Sequence, residues 1–161
     1  MSNIYLISPE AVRRDSVIDD NVDDQFILVA IKDAQMSLME NIGKTNYKKI
    51  EDAVVNREKM TEKIKTLLDD YIHPFLCYKV SETIAIPLSY KYREQGVVQA
   101  SDQHYVQTSS MKDLAYVAKH YGVQAEMYLH RIFSYICENA DEFDTCCVNY
   151  KKSASSFYFR K

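Results

Sequence analysis

Catalytic and metal chemistry begins with nucleophiles, imidazoles and paired acids, and this chain carries few of them at useful spacings. Four histidines stand at 73, 104, 120 and 130, and four cysteines at 77, 137, 146 and 147. None forms the C-x-x-C or H-x-x-x-H pairs from which zinc sites are assembled, so no metal is expected. Cys146 and Cys147 are adjacent, and on a strand adjacent side chains point to opposite faces, which separates two sulfur ligands. A cysteine enzyme would need an activating imidazole and a third group; Cys137 or Cys147 would be its nucleophile, with a thiol of low pKa. Without a regular cysteine framework, free and inert thiols are the simpler expectation. The acid pairs Asp19-Asp20, Asp23-Asp24 and Asp69-Asp70 fall at loop or helix ends, where capping and solvation explain them better than general acid–base work. Glycine occurs only at 43, 96 and 122, which leaves no Gly-rich phosphate loop. These residues argue against an enzyme and imply no cofactor.

Other groups of residues suit binding. Residues 143–161 form an arm rich in β-formers, with Tyr150-Lys151-Lys152 followed by Phe157-Tyr158-Phe159-Arg160-Lys161. Terminal aromatics flanked by cations suit docking on another subunit; a short strand paired with a hairpin of the same chain fits the composition equally well. Tyr90, Lys91, Tyr92, Arg93 and Tyr105 fall in a second segment, 81–109, suited to interface contacts. By contrast, the basic stretch Lys48-Lys49 with Lys59, Lys63 and Lys65 is interleaved with Glu51, Glu58 and Glu62. Mixed signs of this kind describe a solvated helix face with i,i+4 pairs, since phosphate binding needs clustered, uncompensated charge.

The elements that must position these groups are mostly helical. Residues 4–12 begin extended, and Ser8-Pro9-Glu10 offers a cap, a proline at the first helical position and an acid in the first turn. After an acidic loop, Asn21 or Asp23 caps a helix whose Ile27, Ala30, Ile31, Ala34 and Leu38 recur by threes and fours, ended by Gly43. A second helix over 45–55 turns Tyr47, Ile50 and Val54 inward. A third, from about residue 57, carries the stripe Met60, Ile64, Leu67, Leu68, Tyr71, Phe75 and Leu76, with a kink at Pro74. Periodicity fails over 81–109, where Ile84 to Tyr92 alternates and Glu94-Gln95-Gly96 signals a turn. Ser110 with Asp113 resembles a capping box for the longest helix, lined by Leu114, Val117, Ala118, Tyr121, Ala125, Tyr128, Ile132, Tyr135 and Ile136, the expected organiser of the core.

Composition agrees with that pattern. The chain has 161 residues, 27% of them charged, with three Gly and three Pro. The expected architecture is a mainly α, small bundle of about four helices over residues 1–142, with an inserted irregular or hairpin loop at 81–109 and an extended docking arm at 143–161. A formal net charge of -3 argues against a dedicated sequence-reading nucleic-acid binder. No signal peptide is expected at the N-terminus and no membrane span anywhere, which places the protein in the cytosol or in a particle packaged there.

The run Asp24-Gln25-Phe26-Ile27-Leu28-Val29-Ala30-Ile31-Lys32-Asp33-Ala34-Gln35, followed by Asn41-Ile42-Gly43-Lys44-Thr45-Asn46-Tyr47, resembles the opening helix and glycine turn of head-tail connector (adaptor) proteins of tailed bacteriophages, especially crAss-like and other Bacteroidetes phages. Leu67-Leu68-Asp69-Asp70-Tyr71-Ile72-His73-Pro74-Phe75-Leu76, the Lys91 to Val97 segment and the Phe157-Tyr158-Phe159-Arg160 ending extend the resemblance over most of the chain. It implies a virion protein made in the host cytoplasm that forms a ring, typically of twelve copies, under the portal at one capsid vertex. The ring would extend the DNA channel without sequence recognition and present a surface to the next tail component. The arm, through Tyr150, Lys151, Lys152, Phe157, Tyr158, Phe159 and Arg160, would dock on the portal or a neighbouring subunit. The loop, through Tyr90, Lys91, Tyr92, Arg93 and Tyr105, would contact neighbours or the tail. The competing expectation is a small helical binding or regulatory module, monomeric or dimeric, acting on a host or phage protein.

Overall fold

A computed structural model describes residues 4–85, 90–93, 96–99 and 111–145. Helix α1 spans Pro9–Asp15 behind Ser8, whose hydroxyl accepts a hydrogen bond from Ala11 N. Asp23 caps α2, Asp24–Ile42, by accepting from Gln25 N. Gly43, at φ 84°, ends it in a conformation that a Cβ would oppose, and α3 follows at once over Lys44–Val55. The mainly helical bundle expected from the periodicities is the observed fold.

The third helical stretch differs from its expected form. A single 3₁₀ turn, Arg57–Lys59, precedes it, and the helix proper starts behind Thr61, whose hydroxyl accepts from Ile64 N. Helix α4, Glu62–Thr66, widens into a π turn over Leu67–Ile72 before α5, His73–Ala85. His73 N–H donates to Leu68 O, five residues back. The cause is Pro74, which has no N–H and whose ring crowds the carbonyl four residues before it; one wide turn absorbs both and lets the helix continue. Helix α5 then runs into the expected loop, because Ser81 and Ile84 extend the buried face of Val80. Ser81 Oγ–H donates to Cys77 O at 2.9 Å.

Strands β1, Tyr90–Arg93, and β2, Gly96–Gln99, form an antiparallel hairpin in which Arg93 pairs with Gly96 and Tyr90 with Gln99. Helix α6 spans Met111–Glu138. Ser110, half of the expected capping box, lies outside the described residues.

Helix α5 is the centre of the bundle: α6 packs along one side of it and α2 along another, with α3 beside α2. Ile27, Ile31, Leu38 and Ile42 of α2, Phe75 and Leu76 of α5, and Ile132 and Ile136 of α6 are fully buried. Two expected core positions shift. In α3 Ala53 takes the innermost place and Val54 is half-buried, because Tyr47, Ile50 and Ala53 make the tighter arc. In α6 the first buried side chain is Ala125, and Val117 is exposed, so only the C-terminal half organises the core. One buried polar residue ties in the N-terminal segment: Gln35 Oε1 accepts from Leu6 N at 2.8 Å, while its Nε2 donates to Tyr47 Oη at 2.8 Å and Ile4 O at 3.1 Å. Burial pushes the Tyr47 hydroxyl pKa up, against the hydrogen bond from Gln35.

Candidate functional site

The chemistry-bearing residues are dispersed. His73 Nε2 lies 2.8 Å from Asp15 Oδ2, and Arg14 donates to the same carboxylate at 2.8 and 3.0 Å. Arg14 foremost, then His73, hold the Asp15 carboxyl down at about 2. Cys77 is buried behind them; burial foremost, and then the Asp15 charge, push its thiol up to about 12, far from a nucleophile's range. Cys137 is exposed on α6, while Cys146, Cys147 and His104 lie outside the described residues. His120 stacks edge-on to Tyr121, and His130 to Phe133. Among the described residues no three His, Cys, Asp or Glu side chains converge as metal ligands.

Of the expected interface residues, Tyr90, Lys91, Tyr92 and Arg93 together make up the whole of β1. Tyr105 and the arm residues Tyr150, Lys151, Lys152, Phe157, Tyr158, Phe159 and Arg160 lie outside the described residues. The arm's expected boundary needs correction, since Phe143 is 3% exposed and belongs to the helical body. After α6 the chain turns at Asn139, whose side chain donates to Tyr135 O, and Phe143 N–H returns to Asn139 O. That turn drives Phe143 beneath Tyr135, with Lys49 Nζ 5.6 Å from its ring centroid.

The next residue is clasped. Asn46 of α3, 1% exposed, donates from Nδ2 to Asp144 O and accepts at Oδ1 from Asp144 N, both at 2.8 Å. Thr61 Oγ1 donates to Glu142 Oε1, Lys49 Nζ to Glu142 O, and Lys63 Nζ to Asp141 Oδ2, each at 2.6 Å. The pairing with Lys63 holds the Asp141 carboxyl below its usual range. Lys49 and Lys63, expected to pair along their own helices, thus reach across the chain to the turn after α6. The place from which the arm departs is anchored on α3 and α4.

Two outer faces complete the picture. With 3.6 residues per turn, Phe26, Val29 and Met36 fall on the side of α2 opposite its buried residues, and all three are exposed, Val29 by 60%. Likewise Tyr116, Val123 and Met127 fall opposite the buried side of α6 and are exposed, Tyr116 by 75%. Sequence reasoning missed both stripes because it followed the core-facing periodicity; apolar residues on the polar side of each helical wheel were their signal. Asn46 had no such signal, since its partner lies 98 residues away. Between the N-terminal segment, α2 and α3 runs an open groove of about 420 Å³, walled by Tyr5, Met36, Met39 and Tyr47 with Lys32 and Lys48 at its rim.

A family model, that of the family of unknown function DUF6712, matches residues 37–156. The chain belongs to the DUF6712 family. The match runs from the C-terminal half of α2 through the hairpin, α6 and the Asn46–Asp144 clasp. No curated protein and no solved structure matches this DUF6712 chain. Among the described residues no helix is long and apolar enough to cross a membrane.

Proposed function

We propose that this DUF6712 protein is a structural virion protein of a tailed phage. In this reading it forms a ring, of about twelve copies as the resemblance implies, below the portal, joins capsid to tail and continues the DNA channel. The observation that carries this reading is the pair of exposed apolar stripes on α2 and α6. A ring closes through heterologous contacts, in which one surface of a subunit meets a different surface of the next, and the two stripes are unlike surfaces of that kind. The anchored turn at Phe143 and Asp144 suits an arm that carries load from a fixed root, with the portal or a neighbouring subunit as its dock. The hairpin whose first strand is made of Tyr90, Lys91, Tyr92 and Arg93 suits contact with a neighbour or the next tail component. A net acidic subunit lets DNA slide past, because phosphate contacts dominate nonspecific affinity.

A second reading, a small helical binding or regulatory module, draws support from the same turn, which packs on its own domain. Electron microscopy of lysates of the phage carrying a disabled gene separates the two. DNA-filled or leaking heads without tails support the connector; normal tailed virions sink it and favour the module.

A further inference from the structure

The two outer stripes match each other in length, in order and in charge. Along α2, counted from Phe26 at a rise of about 1.5 Å per residue, Val29 lies about 4.5 Å on, Asp33 about 10.5 Å and Met36 about 15 Å. Along α6, counted backwards from Met127, Val123 lies about 6 Å on, His120 about 10.5 Å, Lys119 about 12 Å and Tyr116 about 16.5 Å. We infer that α6 of one copy lies antiparallel on α2 of the next, with Met127 against Phe26, Val123 against Val29, Tyr116 against Met36, and Lys119 with His120 over Asp33. The inference rests on the ring reading and names its interface.

The alternatives fit worse on the same measure. A parallel α6 sets Lys119 level with Val29 and Val123 level with Asp33, which strips the acid of its cation and buries it against an apolar side chain. An antiparallel pair of two α2 helices sets Val29 against Asp33 of the other copy, and two α6 helices set Val123 against His120, with like charges adjacent in both. Only the unlike pairing seats every apolar residue on an apolar one and the acid beside the Lys119 ammonium. Helices at the usual 8–10 Å separation bring these side chains into contact. Because α2 and α6 sit on different sides of α5, one such contact per subunit propagates from copy to copy, and the angle between the two faces sets where the ring closes.

The test uses the full chain with Cys137, Cys146 and Cys147 replaced by Ser, buried Cys77 retained, and Val29→Cys with Val123→Cys introduced together. Oxidation at high protein concentration should give a ladder of disulfide-linked multimers on non-reducing gels. A mixture of the two single-cysteine chains should stop at the dimer, and neither alone should link. In the native chain, Asp33→Lys should weaken association about tenfold, and adding Lys119→Asp should restore it. Dimers from Val123→Cys alone would overturn both the interface and the ring. An oligomer by native mass that forms no Val29–Val123 link would overturn this interface and leave the ring reading standing. A chain that neither oligomerises nor links would overturn this interface, leaving the ring to the lysate imaging.

Discussion

Truncating Asn46 to Ala tests whether the root of the arm is held by one buried amide. The side chain makes three hydrogen bonds, to Asp144 O at 2.8 Å, from Asp144 N at 2.8 Å and to Ile42 O at 2.9 Å. A neutral hydrogen bond contributes roughly 0.5–1.5 kcal/mol net, and a donor or acceptor stranded by truncation adds to the loss unless water reaches it. The Asp144 groups are only part-buried and can rehydrate, whereas the amide itself is enclosed. The expected loss is therefore about 2–3 kcal/mol, with helical content unchanged. Asn46→Asp should cost more, since it keeps the acceptor for Asp144 N but sets a buried carboxylate against the Asp144 carbonyl. Lys63→Ala is the control: its ion pair with Asp141 is as short as any in the turn but solvent-exposed, so it should cost no more than about 1 kcal/mol. Urea unfolding followed by far-UV circular dichroism gives the three losses, and hydrogen exchange at the Asp144 amide reports whether the turn opens locally. If Asn46→Ala costs less than Lys63→Ala, or the Asp144 amide keeps its protection, the clasp does not hold the turn and the reasoning fails.

Other consequences can be checked with simple reagents. Cys77, buried and with its thiol pushed up to about 12, should resist iodoacetamide in the native protein at neutral pH while exposed Cys137 reacts; peptide mapping that finds Cys77 modified as fast as Cys137 would contradict its burial. Asp15, held at about 2, below the ordinary 3.8 of an aspartate, has a depressed folded pKa, so its contribution is present above about pH 4 and fades as pH falls toward 2. The stability gap between the native chain and Asp15→Asn should narrow over that window in urea titrations; a gap that stays constant would remove the Arg14 and His73 contacts as its cause. Gly122 sits mid-helix on α6, and a Cβ there would meet the end of the half-exposed Glu82 side chain, Oε1 at 2.8 Å and Cδ at 3.0 Å, whose other oxygen accepts from Lys79 Nζ at 2.8 Å. Gly122→Ala should raise stability by about 0.5–1 kcal/mol, because the carboxylate can swing aside while the helix gains a better former; a loss of stability would mean that Glu82 is held too firmly to move.

Local signals carried the helices well. Ser8 before Pro9, Asp23 before Asp24 and Gly43 after Ile42 were legible as caps because capping needs only a side chain and a backbone within a turn of each other. The inner faces of α2 and of the second half of α6 were legible for a similar reason, as burial repeats with the helical period. Pro74 announced a disturbance, but its form as a π turn depended on packing that keeps α4 and α5 continuous. The end of α5 was misplaced because the alternation from Ile84 onward reads as extended chain, whereas Ile84 is buried on α5 and the Ser81 hydroxyl is satisfied by the Cys77 carbonyl within the helix.

The sequence by itself determined the helical class of this protein and the caps that open α1 and α2 and close α2, because propensity and capping act within a few positions along the chain. Tertiary structure alone decided that Phe143 and Asp144 belong to the body and that Lys49 and Lys63 serve the turn after α6. Among the described residues it also left the apolar outer faces of α2 and α6 exposed. Each of these depends on which distant segment arrives alongside, and the net burial that chooses among such arrivals is a property of the whole packed core.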